Sequence, residues 1–178
     1  VKAQFGLSDP MVIALVNDSS TGIFNPQSLR LVQWLSDEIR QLHNVDPDKV
    51  VSLATQNNIT GTAEGMQVEP FFDPLPSNQL QAEALRRSVN DFPLYLGSMV
   101  ADSGQATLIV AELIDDQLAA ETFQQIEEII LRAEKSPGDS LHLAGEGAVS
   151  GFLGEYIDRD AVRLNPLAGL IITLIVCF

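Results

Sequence analysis

The chain has 178 residues, enough for one domain with a real core, and its 46% hydrophobic and 19% charged content is too apolar for disorder. Its net charge of −14 argues against partners held by extended phosphate surfaces, because nucleic-acid backbones and anionic lipid headgroups both need many Lys and Arg. The single cysteine, Cys177, leaves no disulfide within the chain and no thiolate metal site.

The start of the chain, Val1 to Gly6, lacks the apolar core of a signal peptide. A place outside the cytoplasm would therefore depend on a segment upstream. Residues 11–16 are a short apolar run between Asp9-Pro10 and the polar cluster Asn17 to Ser20, the length and flanks of a buried strand. A helix then begins, with Asn25 as its cap and Pro26 at the first helical position, where a missing N–H costs nothing. Leu31, Trp34, Leu35, Ile39 and Leu42 recur at helical spacing and predict its buried face. Asn44 to Pro47 end that helix, and residues 50–54 read as a second strand.

Residues 56–76 break the rhythm with Asn, Gly and Pro and predict a long loop, usually functional or mobile inside a domain. Residues 77–90 read as a polar helix with Leu80, Ala84 and Leu85 on one side. Residues 96–101 and 106–113 read as strands joined by a turn at Asp102 to Gln105. Asp115 or Asp116 caps the next helix, whose buried face is Phe123, Ile126, Ile130 and Ala133. It ends at Lys135 to Gly138, and residues 141–144 form the last strand.

The order is β-α-β, an insertion over about 56–93, then β-β-α-β. Without the insertion this is the split βαβ pattern of an α+β, ferredoxin-like sandwich, two helices covering one face of a mostly antiparallel sheet. That domain spans 1–160.

Residues 166–178 are apolar all round and uncharged. A helix from Leu164 to Phe178 would span roughly 22 Å, and a bilayer core needs about 30 Å. The segment 161–178 therefore reads as the start of a transmembrane helix, cut short. The alternative is a buried terminal helix or strand. Asp158, Arg159, Asp160 and Arg163 stand just before it as a charged collar at the membrane surface, or as a gating contact.

Catalytic and metal-binding patterns are weak. Gly145, Gly147 and Ser150 give most of a dinucleotide fingerprint, but the third glycine is replaced, so a strand-to-helix turn is the simpler reading and no cofactor is expected. His43 and His142 lie far apart and share no spacing with a carboxylate, which argues against a metal site. The acid pairs Asp37-Glu38, Asp115-Asp116 and Glu127-Glu128 read as caps and solvated helix faces rather than paired catalytic carboxylates, which need opposed environments. Asn58 to Thr60 match a glycosylation acceptor, a motif frequent by chance. Phe71 and Phe72, in the proline-rich loop, are the candidate hydrophobic contact. The commoner role for such a pair is to fill a gap beneath an insertion; the sharper one is to touch an apolar ligand or partner.

Several short strings, in this order, resemble one family. They are Phe5-Gly6 before the first strand, Gly22-Ile23-Phe24 before the helix, and Val50-Val51-Ser52-Leu53. Gly97 to Val100 then precede Asp102-Ser103-Gly104, Gly145 closes a strand, and Glu155, Asp158 and Leu164 to Leu167 lead into the apolar end. Together they resemble the first extracytoplasmic loop of a resistance-nodulation-division (RND) superfamily exporter, nearest its MmpL-like and hopanoid-transporter-like branches.

The resemblance implies a porter domain in the periplasm, between the first two membrane helices of a bacterial inner-membrane protein. Such exporters use the proton gradient to move lipids or other hydrophobic compounds. Their proton relay lies in later membrane helices, so this chain would hold no catalytic or proton-coupling residue and would not be an enzyme. Its partners would be the remaining membrane helices, the second periplasmic loop, the lipid bilayer through residues 161–178, and the hydrophobic substrate. Nucleic acid is not among them. The alternative class is an extracytoplasmic ligand-binding or sensor domain anchored in the membrane by its terminal helix. A small enzyme would need a polar cleft with a perturbed acid or histidine, which the sequence does not offer.

Overall fold

A computed structural model describes residues 10–62, 65–92 and 94–145. The terminal span, the charged collar, Gly147, Ser150 and Cys177 lie outside the described residues. The elements are β1 (Met11–Asn17), α1 (Pro26–Arg40), β2 (Val45–Val51), β3 (Asn57–Thr62), β4 (Gly65–Pro70), α2 (Gln79–Asn90), β5 (Ala106–Leu113), α3 (Ala119–Arg132) and β6 (Asp139–Ala144). A short 3-10 turn, Asp116–Leu118, leads into α3.

The chain is α+β. Four strands form one antiparallel sheet in the order β2-β5-β1-β6, and β3 pairs only with β4. Alternation along the two central strands buries Met11, Ile13 and Leu15 beside Ile109, Ala111 and Leu113. The helices bring Leu29, Val32, Leu35 and Ile39 of α1 and Phe123, Ile126 and Ile129 of α3 into the same core. Both helices are amphipathic and bury one stripe each, so the sheet supplies the apolar surface they need.

Helix α1 starts as its sequence predicts. The Asn25 side chain accepts from the Ser28 amide at 2.9 Å, and Pro26 occupies the first turn. Its buried stripe is wider than the predicted one, taking in Ser28, Leu29, Val32 and Ser36, whereas Trp34 and Leu42 are only half-buried. The Ser36 hydroxyl donates to the Val32 carbonyl at 2.7 Å and shares a 2.8 Å hydrogen bond with Ser52, so neither buried hydroxyl is unpaired.

Several expectations are corrected. The second strand is Val45–Val51, not 50–54; its pairing with β5 shifts register between Val45 and Val50, and Ser52 to Thr55 turn. The Asp-Pro-Asp at 46–48 masked it, because a charged, exposed middle breaks the apolar run a strand normally shows. Residues 56–76 are not one loop but contain the β3–β4 hairpin, whose β4 residues are all exposed and so carry no one-sided burial pattern. Residues 96–101 make only isolated bridges, Leu96 with Val100 and Val100 with Thr107. There Gly97, at φ +72°, turns the chain and its amide donates to the Val100 carbonyl at 2.8 Å. The turn at 102–105 is present, closed by an Ala101 amide to Ala106 carbonyl bond of 2.9 Å.

Helix α2 occupies its predicted place but is rotated. It buries Ala82, Leu85 and Val89, and leaves Leu80 78% exposed. Contacts to α1's leading loop set that rotation: Gln79 Nε2 donates to the Phe24 carbonyl at 3.0 Å, and the Arg86 guanidinium lies 5.7 Å over the Phe24 ring. Tertiary docking thus buries one of the helix's two leucines and leaves the other in solvent. The segment between β2 and β5 runs over 52–105 and holds β3, β4 and α2.

A polar cluster ties β1, α1 and β6 together. Asn17, 1% exposed, donates from Nδ2 to Asp139 at 2.7 Å, and the buried Ser28 hydroxyl donates to the same carboxylate oxygen at 2.6 Å. The other Asp139 oxygen accepts from the Ser136 amide at 3.0 Å. A carboxylate held this way is fully hydrogen-bonded and fixes the start of the edge strand.

Candidate functional site

Phe71 belongs to the core. It is 7% exposed, and its ring meets Tyr95 edge-on, centroids 5.4 Å apart and planes at 73°. Phe92 lies tilted against the same tyrosine at 5.0 Å. The Tyr95 hydroxyl donates to the Asn57 carbonyl at 3.2 Å, and the Phe71 amide donates to the Gln56 carbonyl at 3.2 Å. Phe72 is half-buried and packs against the core. The two phenylalanines therefore present no exposed aromatic pair: Phe71 anchors the base of the hairpin to the loop after α2.

The histidines are separate. His43 is exposed beyond the end of α1, and His142 is exposed on β6, 3.3 Å from the Ser140 hydroxyl. Among the described residues no group of three or more His, Cys, Asp or Glu is placed to hold a metal ion. Of the acid pairs, Asp115 caps the 3-10 turn by accepting from the Gln117 amide at 2.9 Å, and Glu38 meets Arg132 at 3.4 Å. Asp37, Asp116, Glu127 and Glu128 are exposed or solvated. Asn58 pairs with Glu69 inside the hairpin ribbon.

The surface with functional promise is the second face of the main sheet. Val12, Ala14 and Val16 on β1 stand opposite Val110, Leu108 and Ala106 on β5, all half-buried. The helices occupy the other side. On β6, Ala144, His142 and Ser140 continue the rows. The Glu112–Lys49 ion pair, 2.6 Å, stands at the β2 margin. A signal for this face was present in the sequence: residues 11–16 are apolar at every position, and a strand of that kind asks for cover on both faces. Among the described residues its centre, on β1 and β5, carries only apolar side chains, with His142 and Ser140 on the edge strand, so what it offers is apolar contact.

Two groups next to these features set an alkaline limit on stability. The hydrogen bond and charge of Glu112 raise Lys49 above its ordinary 10.5, and burial raises the Tyr95 phenol above 10.0. In both cases the folded chain keeps its proton to higher pH than the unfolded chain. Their stabilisation is therefore complete below the unfolded values and lost as pH climbs through the folded ones. The urea midpoint is expected to be insensitive to both groups between about pH 7 and about pH 9 and to fall above about pH 10. A Lys49→Met, Tyr95→Phe double variant should lack that part of the fall.

Among the described residues no helix is long and apolar enough to cross a membrane. Neither a protein-family model nor a curated protein matches the sequence.

Proposed function

We propose that the chain is an extracytoplasmic, porter-type domain of a proton-driven RND-superfamily exporter in a bacterial inner membrane, forming one wall of a path for lipids or other hydrophobic compounds. In this reading the domain has a ferredoxin-like, split βαβ core, with the insertion replacing the hairpin between its second and third strands. The observation that carries the reading is the antiparallel order β2-β5-β1-β6, with α1 and α3 in one core and a half-buried apolar face opposite. Hydrophobic cargo, or a second domain of the same kind, needs an apolar wall and no catalytic group. Residues 161–178 would continue into a membrane helix, with Asp158, Arg159, Asp160 and Arg163 at its mouth.

The test is transport by the full-length protein in cells, following efflux of a hydrophobic dye. Efflux should stop when a proton uncoupler is added. It should fall several-fold in a Leu108→Gln, Val110→Thr variant whose membrane level and circular dichroism are unchanged. Efflux that ignores the uncoupler, or a gene encoding one membrane span followed by a signalling domain, would overturn the exporter reading. The second outcome would favour a membrane-anchored sensor.

A further inference from the structure

A groove of about 610 Å³ runs between α1 and the segment that follows α3. Arg30, Leu31 and Trp34 line it on the α1 side, and Arg132, Glu134 and Lys135 on the other. We infer that this groove binds a small organic anion: a phosphate, sulfonate or carboxylate head on an apolar body. The inference goes beyond the exporter reading and does not rest on it.

Charge placement carries it. The chain has ten basic residues and a net charge of −14, yet three of its cations meet at one groove against a single carboxylate. Arg132 is partly engaged, by Glu38 at 3.4 Å, in an exposed pair of the kind that contributes little. Its place in the last turn of α3 also suits the helix dipole. That account does not extend to Arg30, in the first half of α1, or to Lys135, beyond the end of α3. Neither side chain makes a hydrogen bond or ion pair with another described residue. Unpaired cations in an acidic protein are available to an incoming anion.

The floor sets the rest of the ligand. Leu31 is 4% exposed and Trp34 half-buried, so the groove offers an aliphatic and an indole surface beneath the cations. Arg30 and Trp34 stand one helical turn apart, which aligns head and body sites along α1. An inorganic anion would leave the indole uncovered, and a neutral apolar molecule would leave the cations unpaired. The volume falls in the range of small-molecule sites, about 300–1,000 Å³. The −14 charge of the whole chain disfavours an anionic bilayer surface as the source of the head group.

Trp34 is the chain's only tryptophan, so its emission reports on this groove alone. The experiment titrates the full chain with octyl phosphate below its micellar concentration, with octanol and inorganic phosphate as parallel arms. Octyl phosphate should shift Trp34 emission saturably, with affinity at least about tenfold above either control. An Arg30→Gln, Lys135→Gln variant should lose about tenfold in affinity. Both side chains are exposed and unpaired among the described residues, so its circular dichroism should match that of the parent. Should the variant fail to fold, salt decides on the parent: rising ionic strength should weaken octyl phosphate and leave octanol unchanged. An equal response to octanol, binding indifferent to salt, or unchanged affinity in the folded variant would overturn the assignment. So would an emission change on phosphatidylglycerol vesicles with none on octyl phosphate, which would point to a membrane surface instead.

Discussion

Gly22→Ala is expected to lower the stability of the chain by about 3–5 kcal/mol. Gly22 has φ +60°, and a Cβ built there would lie 2.1 Å from the Gly104 carbonyl oxygen. The backbone conformation alone costs about 1–2 kcal/mol for an L residue. The oxygen cannot move aside cheaply, because it accepts from the Ile23 amide at 3.0 Å and belongs to the turn that precedes β5. Relief requires the two loops to part, which breaks that bond and lifts Ile23 and Phe24, both fully buried, from the core. Urea unfolding measures this as a drop in midpoint with the slope kept. A loss under about 1 kcal/mol would show that the loops separate freely and that their backbone contact is incidental.

Asn44→Ala is expected to cost about 3 kcal/mol. Asn44 is 5% exposed and joins three elements. Its Nδ2 donates to the Asp115 carbonyl at 3.0 Å and to Thr122 Oγ1 at 2.9 Å, and its Oδ1 accepts from the Asp115 amide at 2.9 Å. Its own carbonyl accepts from the Ile114 amide at 2.9 Å. The end of α1, the end of β5 and the entry to α3 are thereby held in one arrangement. Truncation removes every side-chain bond at once and leaves Thr122 Oγ1 without one of its partners in a dry site. Thr122→Val removes part of the same network, so the two substitutions together should cost less than the sum of their separate effects. Strict additivity would mean that Asn44 acts through Asp115 alone.

Legibility followed burial. The strands at 11–17 and 106–113 and the cap at Asn25 were readable because each rests on local chemistry: an apolar run between turn residues, or a capping side chain next to proline. The β3–β4 hairpin was not, because a ribbon exposed on both sides carries no one-sided pattern, and its Gly and Asn residues imitate a loop. Phe71 shows the limit for a candidate site. An aromatic pair among prolines is consistent with contact or with core, and only Tyr95, 24 positions further along the chain, decides that its ring is enclosed. The groove beneath Arg30 and Lys135 was equally hidden: these cations are more than a hundred residues apart in the chain and become neighbours only when α3 packs against α1.

The sequence by itself determined the class of the fold, the order of its main elements and the cap that starts α1, since these depend on residues a few positions apart. It also determined the acidic balance and the apolar character of both faces of β1. Tertiary structure alone decided the strand order β2-β5-β1-β6, the rotation of α2 and which face of the sheet the helices leave half-covered. The reason is physical. Propensity and capping are local energies, whereas strand partners and helix rotation are set by burial summed over distant residues, such as Gly22 against Gly104 and Asn44 against Thr122.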